Sequence, residues 1–399
     1  MDQLCEDLIV NIFSNLEVKT ILKLRCICKL WRQIIDGSSY GPQLAKKQLK
    51  NVVEEPLLLV VSNYKPSQSH DDHNNPNPNP NKSMNQRLLE INLKSLFPWA
   101  SQLNDNKNEM FFESCADGIL CFSRVTSLGT TPYLINPLRQ DVLELPPLNV
   151  ELINGVIQKH FSYGLGFDKS TRKYKVVCAV VDWYSVMCEP FTTTFYTLKD
   201  SKWIELEKSQ PQQHCVPIKG GPKYINGVIY WNCYNSNAPN NKFVIMGFDV
   251  EKEQFRLIPM PSKLGHGDEE CFYFDQLIDL NIGVLSYVDL SSTNHIEIWN
   301  LKNCVGDHDE KENWVRMYKF EMKAPHNWSY RFHPYRVIGT WENGEILLKG
   351  VFDSFITYNP NTDTFKTLSF PLLTQDDHNT QYYTYSPTLL SLSWVSNQL

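Results

Sequence analysis

Few stretches of this sequence combine residue types and spacing that could perform chemistry. Two histidine and two aspartate side chains follow one another in HDDH at 70–73, and such side chains could bind a divalent metal ion. This stretch lies in a tract rich in Pro and Asn, 65–82, whose composition predicts disorder. Because a disordered tract positions metal ligands poorly, we predict no metal site here.

Two further stretches were candidates for an active site. HNWSYRFH at 326–333 has two histidines near aromatic residues, and we interpret it as a loop that connects strands. YGLGF at 163–167 has two glycines but lacks the third glycine of a dinucleotide-binding turn and does not begin a helix. The nucleophile elbow, the zinc-protease motif and the phosphate-binding P-loop do not occur. The sequence therefore predicts no catalytic residues and no cofactor.

Composition restricts the cellular environment and the class of partner. The 11 cysteines include no CxxC pair, and the first ten residues carry acids where a signal peptide needs basic residues. No apolar run approaches the roughly 18 residues that a membrane span requires. We therefore expect reduced cysteines, no membrane partner and a cytoplasmic location, with the nucleus as a second compartment.

Charge is distributed unevenly along the chain. Residues 1–50 contain eight Lys and Arg against five Asp and Glu, a net charge of +3, and the other residues contain 30 against 39, a net charge of −9. An acidic body argues against nucleic acid as the partner, because phosphate binding requires a basic surface. It would suit a basic protein partner.

The elements that would position any site fall into a helical head and a β body. In the head, the apolar residues Leu4, Leu8, Ile12 and Leu16 recur every four positions, and Phe13 lies beside them. The pattern predicts three helices in all, the last of which ends at Gly37.

Three such short helices hold too few apolar residues for a stable core of their own. Their surplus apolar face has two possible uses. It packs on the β body as the first helices of that domain, or it docks onto another protein. The residues alone leave both alternatives open.

The body consists of repeated hairpins. PYLINPLRQDVLELPP (132–147), VIMGFDVEKEQFRLIPMP (244–261) and SFITYNPNTDTFKTLSFP (354–371) each contain a strand, an Asn or Asp turn and a second strand. We expect the side chains of Asn136, Asp249 and Asn359 to cap these turns.

Between the hairpins, a Gly turn precedes an apolar strand, as in DGILCF (117–122) and NGVIYW (226–231). Together these units predict a β-propeller of about six or seven blades, with a β-sandwich as the alternative. Residues 388–395 could pair with 56–61 to close the ring. We assign four tryptophans to the blade core, namely Trp231, Trp299, Trp314 and Trp341.

The head resembles the F-box, the short helical motif of substrate receptors in cullin-RING ubiquitin ligases. The positions that match the plant-type pattern are Leu4, Glu6, Asp7, Leu8, Ile12, Leu16, Val18, Lys19, Leu22, Arg25, Cys26, Cys28, Lys29, Trp31 and Ile34. The chain departs from the pattern at Cys5 and Glu17, where the family has proline. Losing two prolines removes two rigid helix starts, which could weaken binding of the adaptor.

The body is similar to the kelch-like F-box-associated domain of plant F-box proteins, on YGLGFDKSTRKYKVV (163–177), NGVIYW and VIMGFDVEKEQFRLIPMP. The S-locus F-box proteins of pollen self-incompatibility are a narrower match. The expected fold is α+β multidomain, with a small N-terminal three-helix F-box followed by an all-β propeller-like domain. The expected domains are the F-box at 1–45, a connecting segment with the first strand at 46–110, and the propeller-like domain at 111–399.

The resemblance implies a non-catalytic receptor subunit of a Skp-cullin-F-box (SCF) ubiquitin ligase. Its partners would be a Skp-type adaptor, the cullin and RING subunits bound through that adaptor, and a protein substrate, with an S-ribonuclease as the narrower possibility. The residues that would bind the adaptor are Leu4, Leu8, Ile12, Phe13, Leu16, Leu22, Cys26 and Trp31. Of these, we expect Cys26 and Trp31 to hold the helices together. The substrate-binding residues are unknown.

Two other functions are weighed against this one. A propeller-type binding protein or enzyme unrelated to ubiquitination would need convergent acids or histidines in its central channel. A DNA-binding head would need polar residues on its third helix to read bases, and KLWRQII offers only Arg32 and Gln33.

Overall fold

The computed structural model describes most of the chain apart from several connecting segments. The described residues are 5–51, 56–62, 88–92, 110–126, 129–149, 159–182, 193–206, 214–218, 221–235, 243–261, 276–280, 283–302, 314–322, 334–350, 354–370 and 380–396. The tract 65–82, the HDDH stretch and the HNWSYRFH stretch lie outside them.

The head contains four helices, one more than the sequence pattern predicts. They are α1 Glu6–Phe13, α2 Val18–Leu24, α3 Lys29–Asp36 and α4 Gly41–Asn51. The first three follow the predicted apolar periodicity, and α3 ends at Gly37 as expected. The fourth helix buries Leu44 and Ala45 against the others and presents mainly polar residues elsewhere. The predicted end of the F-box domain at residue 45 falls inside α4. The domain boundaries stay predictions.

The described part of the body is almost entirely β-structure. Its strands, in chain order, are β1 Leu57–Ser62, β2 Leu88–Asn92, β3 Met110–Ala116, β4 Ile119–Thr126, β5 Gly129–Asn136, β6 Asp141–Glu144, β7 Leu148–Asn149, β8 Lys159–Asp168, β9 Lys173–Asp182, β10 Thr193–Lys199, β11 Lys202–Glu205, β12 Cys215–Pro217, β13 Lys223–Ile225, β14 Val228–Asn235, β15 Phe243–Asp249, β16 Gln254–Pro259, β17 Gln276–Asp279, β18 Leu285–Asp289, β19 His295–Leu301, β20 Trp314–Glu321, β21 Arg336–Thr340, β22 Ile346–Lys349, β23 Phe355–Asn359, β24 Thr364–Leu368 and β25 Gln381–Tyr385.

These strands form six sheets, and each sheet is one blade of a propeller. Blade 1 is β3–β6 with β7 paired to β5, and blade 2 is β8–β11. Blade 3 is β12 and β14–β16 with β13 paired to β14, blade 4 is β17–β20, and blade 5 is β21–β24. Blade 6 is β2, β1 and β25. The prediction of a propeller is confirmed, and the number of blades is six.

Blade 6 closes the ring by joining the two ends of the body. Strand β1 pairs antiparallel with β25, with Leu57 opposite Tyr385, and parallel with β2. The prediction that 388–395 supplies the closing strand is therefore wrong. That stretch instead places Leu392 and Val395 in the apolar cluster between blades 1 and 2, at a helical spacing. It ends in the short helix α5, Leu392–Ser396.

The turns of the hairpins behave as their residue types predict. The Oδ1 atoms of Asn136, Asp249 and Asn359 accept hydrogen bonds from backbone N–H groups two residues further on, at 3.2, 3.0 and 2.9 Å. The capping role predicted for these three side chains is confirmed. The Gly turns are equally regular, since Asn226 and Gly227 both have positive φ, 47° and 88°. Such a pair forms the tight hairpin turn that connects β13 to β14.

The core lies in the apolar layers between neighbouring blades. Trp231, Trp299 and Trp341 are buried in these layers, and Trp314 is partly buried against the layer between blades 3 and 4. Their assignment to the blade core is confirmed. No helix in the described part of the chain is long and apolar enough to cross a membrane.

Candidate protein-docking surface of the helical head

Helix α1 carries apolar residues on two faces, and only one face is needed for the core. Ile9, Val10 and Phe13 are buried among the head helices. Leu8 and Ile12, one helical turn apart, keep 48% and 50% of their surfaces exposed. Two large apolar side chains on one stripe that the protein leaves in water are typical of a protein-docking surface.

The predicted site residues divide between this exposed stripe and the core of the head. Phe13 is buried at 4% exposure, and its ring lies edge-on against Trp31 with centroids 5.1 Å apart. Phe13 therefore belongs to the core of the head and not to its surface. Leu16, Leu22 and Trp31 are partly buried and pack against the same core. Leu4 lies outside the described residues.

The turn between α2 and α3 exposes Ile27, which the predicted adaptor-binding set omits. At 62% exposure, Ile27 is the most exposed large apolar residue in the described part of the chain. Cys26 is also exposed, so the expectation that it holds the helices together is wrong. The neighbouring Cys28 caps α3, because its sulfur accepts the backbone N–H of Trp31 at 3.5 Å. Apolar periodicity places Ile27 in the second helix, but α2 ends at Leu24, and periodicity does not show which apolar side chains stay in solvent.

The two positions that lack the family's prolines keep a proline-compatible backbone. Cys5 precedes α1 with φ −57° and Glu17 precedes α2 with φ −63°. Proline fixes φ near −65°. Neither side chain caps its helix. The helix starts therefore have the geometry that proline would impose, without the rigidity that it would add.

The opposite side of the head packs on the propeller. Leu389, just after β25, is buried in the head core, where Leu138 of the β5–β6 turn and Trp394 of α5 also pack. At Gly41, the first residue of α4, a Cβ atom would come within 2.3 Å of the Trp394 ring. The head thus uses apolar residues in both ways that the sequence left open, one side against the body and one stripe in solvent.

An ion-pair network fixes the head to blade 1. The Arg139 guanidinium, which is 4% exposed, donates to Asp36 of α3 at 2.8 Å and to Asp141 of β6 at 3.3 Å. It also donates to the Leu389 carbonyl at 3.2 Å and lies 5.4 Å from the centre of the Trp394 ring. A cation with this many partners and so little exposure couples the head firmly to the propeller.

The described residues offer little for catalysis. No group of three or more His, Cys, Asp or Glu side chains in this part of the chain is arranged to hold a metal ion. Although burial opposes ionisation, hydrogen bonds from Ser170, Thr171 and Lys175 lower the pKa of the Asp168 carboxyl. The other strongly displaced pKa values in the described residues have burial as their main cause. One example is Glu113, whose carboxyl pKa burial raises to about 7.

Comparison with known families and proteins matches both parts of the chain. The F-box domain model matches residues 1–41, and the F-box associated beta propeller domain model matches residues 75–389. Two curated Arabidopsis thaliana proteins resemble the whole chain. F-box protein At3g07870 is 24% identical over 93% of this chain and 88% of its own length. Putative F-box protein At1g53550 is 25% identical over 99% of this chain and 92% of its own length.

Proposed function

Because the chain belongs to the F-box proteins that carry an F-box-associated β-propeller domain, we propose that it is the substrate-recognition subunit of an SCF ubiquitin ligase. The head binds a Skp-type adaptor, which connects it to the cullin and RING subunits. The propeller binds the target protein. The observation that carries the proposal is the exposed stripe of Leu8 and Ile12 on a helix whose other face already fills the head core.

The proposed adaptor site is narrower than the set of residues that the sequence suggested. Leu8 and Ile12 insert into an apolar groove of the adaptor, as an amphipathic helix commonly does, and Ile27 extends the contact. Leu16, Leu22 and Trp31 support these residues from behind, since they pack against the head core.

The proposed mechanism involves no bond chemistry by this chain. A receptor that holds its target beside a ubiquitin-loaded enzyme raises the effective concentration of target lysines, so affinity and geometry are its whole contribution. The same proposal places the chain in the cytoplasm and the nucleus. An S-ribonuclease as the target stays a prediction, which binding of the purified ribonuclease to the propeller would test.

The test is co-purification of the chain with a Skp-type adaptor. Leu8→Asp combined with Ile12→Asp should abolish the complex, because two charges would have to be desolvated in the groove. Ile204→Asp is the matched control, since Ile204 is 47% exposed on β11, the outermost strand of blade 2. Normal adaptor binding by the double variant, with its fold intact by circular dichroism, would contradict the proposed interface.

An enzymatic function makes the opposite predictions. An enzyme of the propeller type would turn over a small molecule or retain a ligand on purification, and its activity would not depend on Leu8 and Ile12. A DNA-binding head would bind duplex DNA at low salt through Arg32 and Gln33, which are exposed on α3.

A further inference from the structure

The innermost strands of all six blades run in the same direction. Hydrogen bonds connect innermost strands that are neighbours in the ring. The Glu113 side chain of β3 accepts the Tyr163 N–H of β8, and the Gln276 side chain of β17 accepts the Val337 N–H of β21. Similar contacts connect the ends of β8 and β13, of β13 and β17, of β21 and β25, and of β25 and β3. The channel therefore has one mouth where these strands end and another where they begin.

We call the first mouth the head face and the second the distal face. The β3–β4 turn and the β5–β6 turn both lie on the head face, since β3 and β5 run in the same direction within blade 1. The head binds the β5–β6 turn through Leu138 and Arg139. The distal face is thus the side of the propeller away from the head.

The distal mouth carries cations at the starts of the innermost strands, whereas the head face has charges of both signs. Among the described residues, the innermost strands or the turns directly after them carry Asp117, Asp168, Asp279, Glu342 and Glu345 at the head face, together with Lys169 and Arg172. At the distal face, the innermost strands begin with Lys159 and His160 of β8, Lys223 of β13 and Arg336 of β21. Glu113 lies midway along β3 and is buried between blades 1 and 2, where Ser123 and Tyr163 donate to its carboxyl group.

Lys223 reaches the axis of the ring. Its amine lies 5.5 Å from the centre of the Tyr383 ring, and Tyr383 belongs to blade 6, which is opposite blade 3 in a ring of six. The preceding Gly221, with φ +67°, approaches so closely that a Cβ atom would lie 2.4 Å from the Glu113 carbonyl of blade 1. The segment before β13 therefore crosses toward the centre and carries the amine into the channel.

Among the described residues, no Asp or Glu carboxylate lies within ion-pair distance of the Lys223 amine, and burial lowers the pKa of the amine. The nearby Cys115 supplies no counter-charge, because burial raises the pKa of its thiol to about 12. An ammonium group whose partner in the described part of the chain is an aromatic ring face and not a carboxylate is costly to bury unless a ligand supplies the anion.

Arg336 adds a second cation beside the same ring. Burial raises the pKa of the Tyr383 hydroxyl, and the charge of Arg336 opposes that increase. Arg336 is exposed at the start of β21, so it stands at the distal mouth. Tyr383 thus has the Lys223 amine of blade 3 against its ring, and the positive charge of Arg336 of blade 5 is near enough to act on its hydroxyl.

We propose that the distal mouth of the channel binds an acidic segment of the target protein, with one carboxylate held between Lys223 and Arg336. The proposal rests on the proposed function only in identifying this segment as part of the ubiquitination target. The proposed ligand is acidic, whereas the net negative charge of the body suggested a basic protein partner. Charges more than about 8 Å away are largely screened at physiological salt, so the local cations decide which ligand binds.

The experiment is fluorescence anisotropy of a labelled hexaglutamate peptide with the purified full chain at low ionic strength. We expect Lys223→Met and Arg336→Gln each to weaken binding by about tenfold or more, as loss of a charge-assisted hydrogen bond does. Lys202→Met is the matched control, because Lys202 is exposed on the outermost strand of blade 2. It should leave the affinity unchanged.

Several results would overturn the proposal. They are equal binding of hexaglutamate by wild type and Arg336→Gln, no binding by wild type, or tighter binding of hexalysine that depends on Lys223. Binding of inorganic phosphate without binding of hexaglutamate would also overturn it, in favour of a small-anion site. Because Lys223→Met could disturb the fold, its thermal midpoint is measured, and the exposed Arg336 provides an independent test.

The assay separates this proposal from the proposed function. It contains no adaptor, and the Leu8→Asp, Ile12→Asp double variant should bind hexaglutamate like the wild type. Normal peptide binding with failed adaptor binding would refute the ligase role and leave the acidic-segment site standing. Normal adaptor binding with failed peptide binding would refute the site alone.

Discussion

The buried carboxyl group of Glu113 makes the stability of the propeller depend on pH. It lies between blades 1 and 2 at 8% exposure, where the Ser123 hydroxyl and the Tyr163 N–H donate to it. Burial raises its pKa from 4.5 to about 7, although both hydrogen bonds favour the ionised form. Replacement by glutamine preserves the shape, keeps an acceptor for Tyr163 and removes the ionisation.

The direction in which stability changes with pH follows from the protonation of Glu113 in the folded and the unfolded chain. Below pH 4.5 the carboxyl group is neutral in both the folded and the unfolded chain, so it contributes no pH dependence. Between pH 4.5 and about 7 the unfolded chain loses the proton while the folded chain retains it, so stability falls as the pH rises. The two pKa values differ by about 2.5, and each pH unit is worth ~1.36 kcal/mol, so the total loss is about 3 kcal/mol.

The assay compares thermal or urea unfolding of wild type and Glu113→Gln from pH 5 to pH 8. Relative to wild type, the variant should gain stability as the pH rises, up to about 3 kcal/mol near neutrality, or a midpoint difference on the order of a few degrees. Glu251→Gln, at an exposed position in the β15–β16 turn, controls for the loss of one acid. A difference between wild type and Glu113→Gln that stays constant over this range would refute the argument from burial.

Two further changes test how the head is built and attached. Arg139→Met should cost about 2 kcal/mol, because Asp141 loses its cation while Asp36 keeps Arg25 at 2.9 Å, and it should increase hydrogen exchange in α3 and α4 without abolishing adaptor binding. The exposed Arg32→Met is its control, and unchanged exchange in Arg139→Met would contradict the role of the network. Glu17→Pro should raise the free energy of unfolding by about 0.4–1 kcal/mol, because φ is already −63°, whereas Glu17→Ala should not. A lower thermal midpoint for Glu17→Pro would show that Leu16 or the Glu17 N–H cannot tolerate proline.

The sequence predicted best those features that a local pattern encodes. Asn136 and Asp249 cap their turns because an Asn or Asp between two strands can bond its own backbone, and this requires no knowledge of the rest of the chain. The first three helices followed from apolar periodicity in the same way. A propeller of six or seven blades followed from the repetition of such local units, and the structure has six.

The errors arose where distant contacts decide the outcome. Residues 388–395 are as apolar as a strand, but they do not form one. Leu389 packs in the head core and Leu392 packs between blades 1 and 2, and β25, earlier in the chain, is the strand that closes the ring. Phe13 and Leu8 are both apolar residues of α1, and the packing of the other head helices, Trp31 included, buries Phe13 and leaves Leu8 exposed. Lys223 gave no signal in the sequence, because its significance comes from reaching across the ring to blade 6.

The positions of the two proposed sites explain why the head is attached so firmly. The proposed adaptor-binding stripe lies on the head, at one face of the propeller, and the proposed acidic-segment site lies at the opposite face. A target held at the distal mouth is therefore separated from the adaptor by the full height of the ring. If the head could swing on its connection, the distance from the target to the ubiquitin-loaded enzyme would vary and the gain in effective concentration would fall. The buried Arg139 network and the Trp394 contact at Gly41 prevent such motion. Loosening them should thus slow ubiquitin transfer to a bound target while both binding affinities stay unchanged.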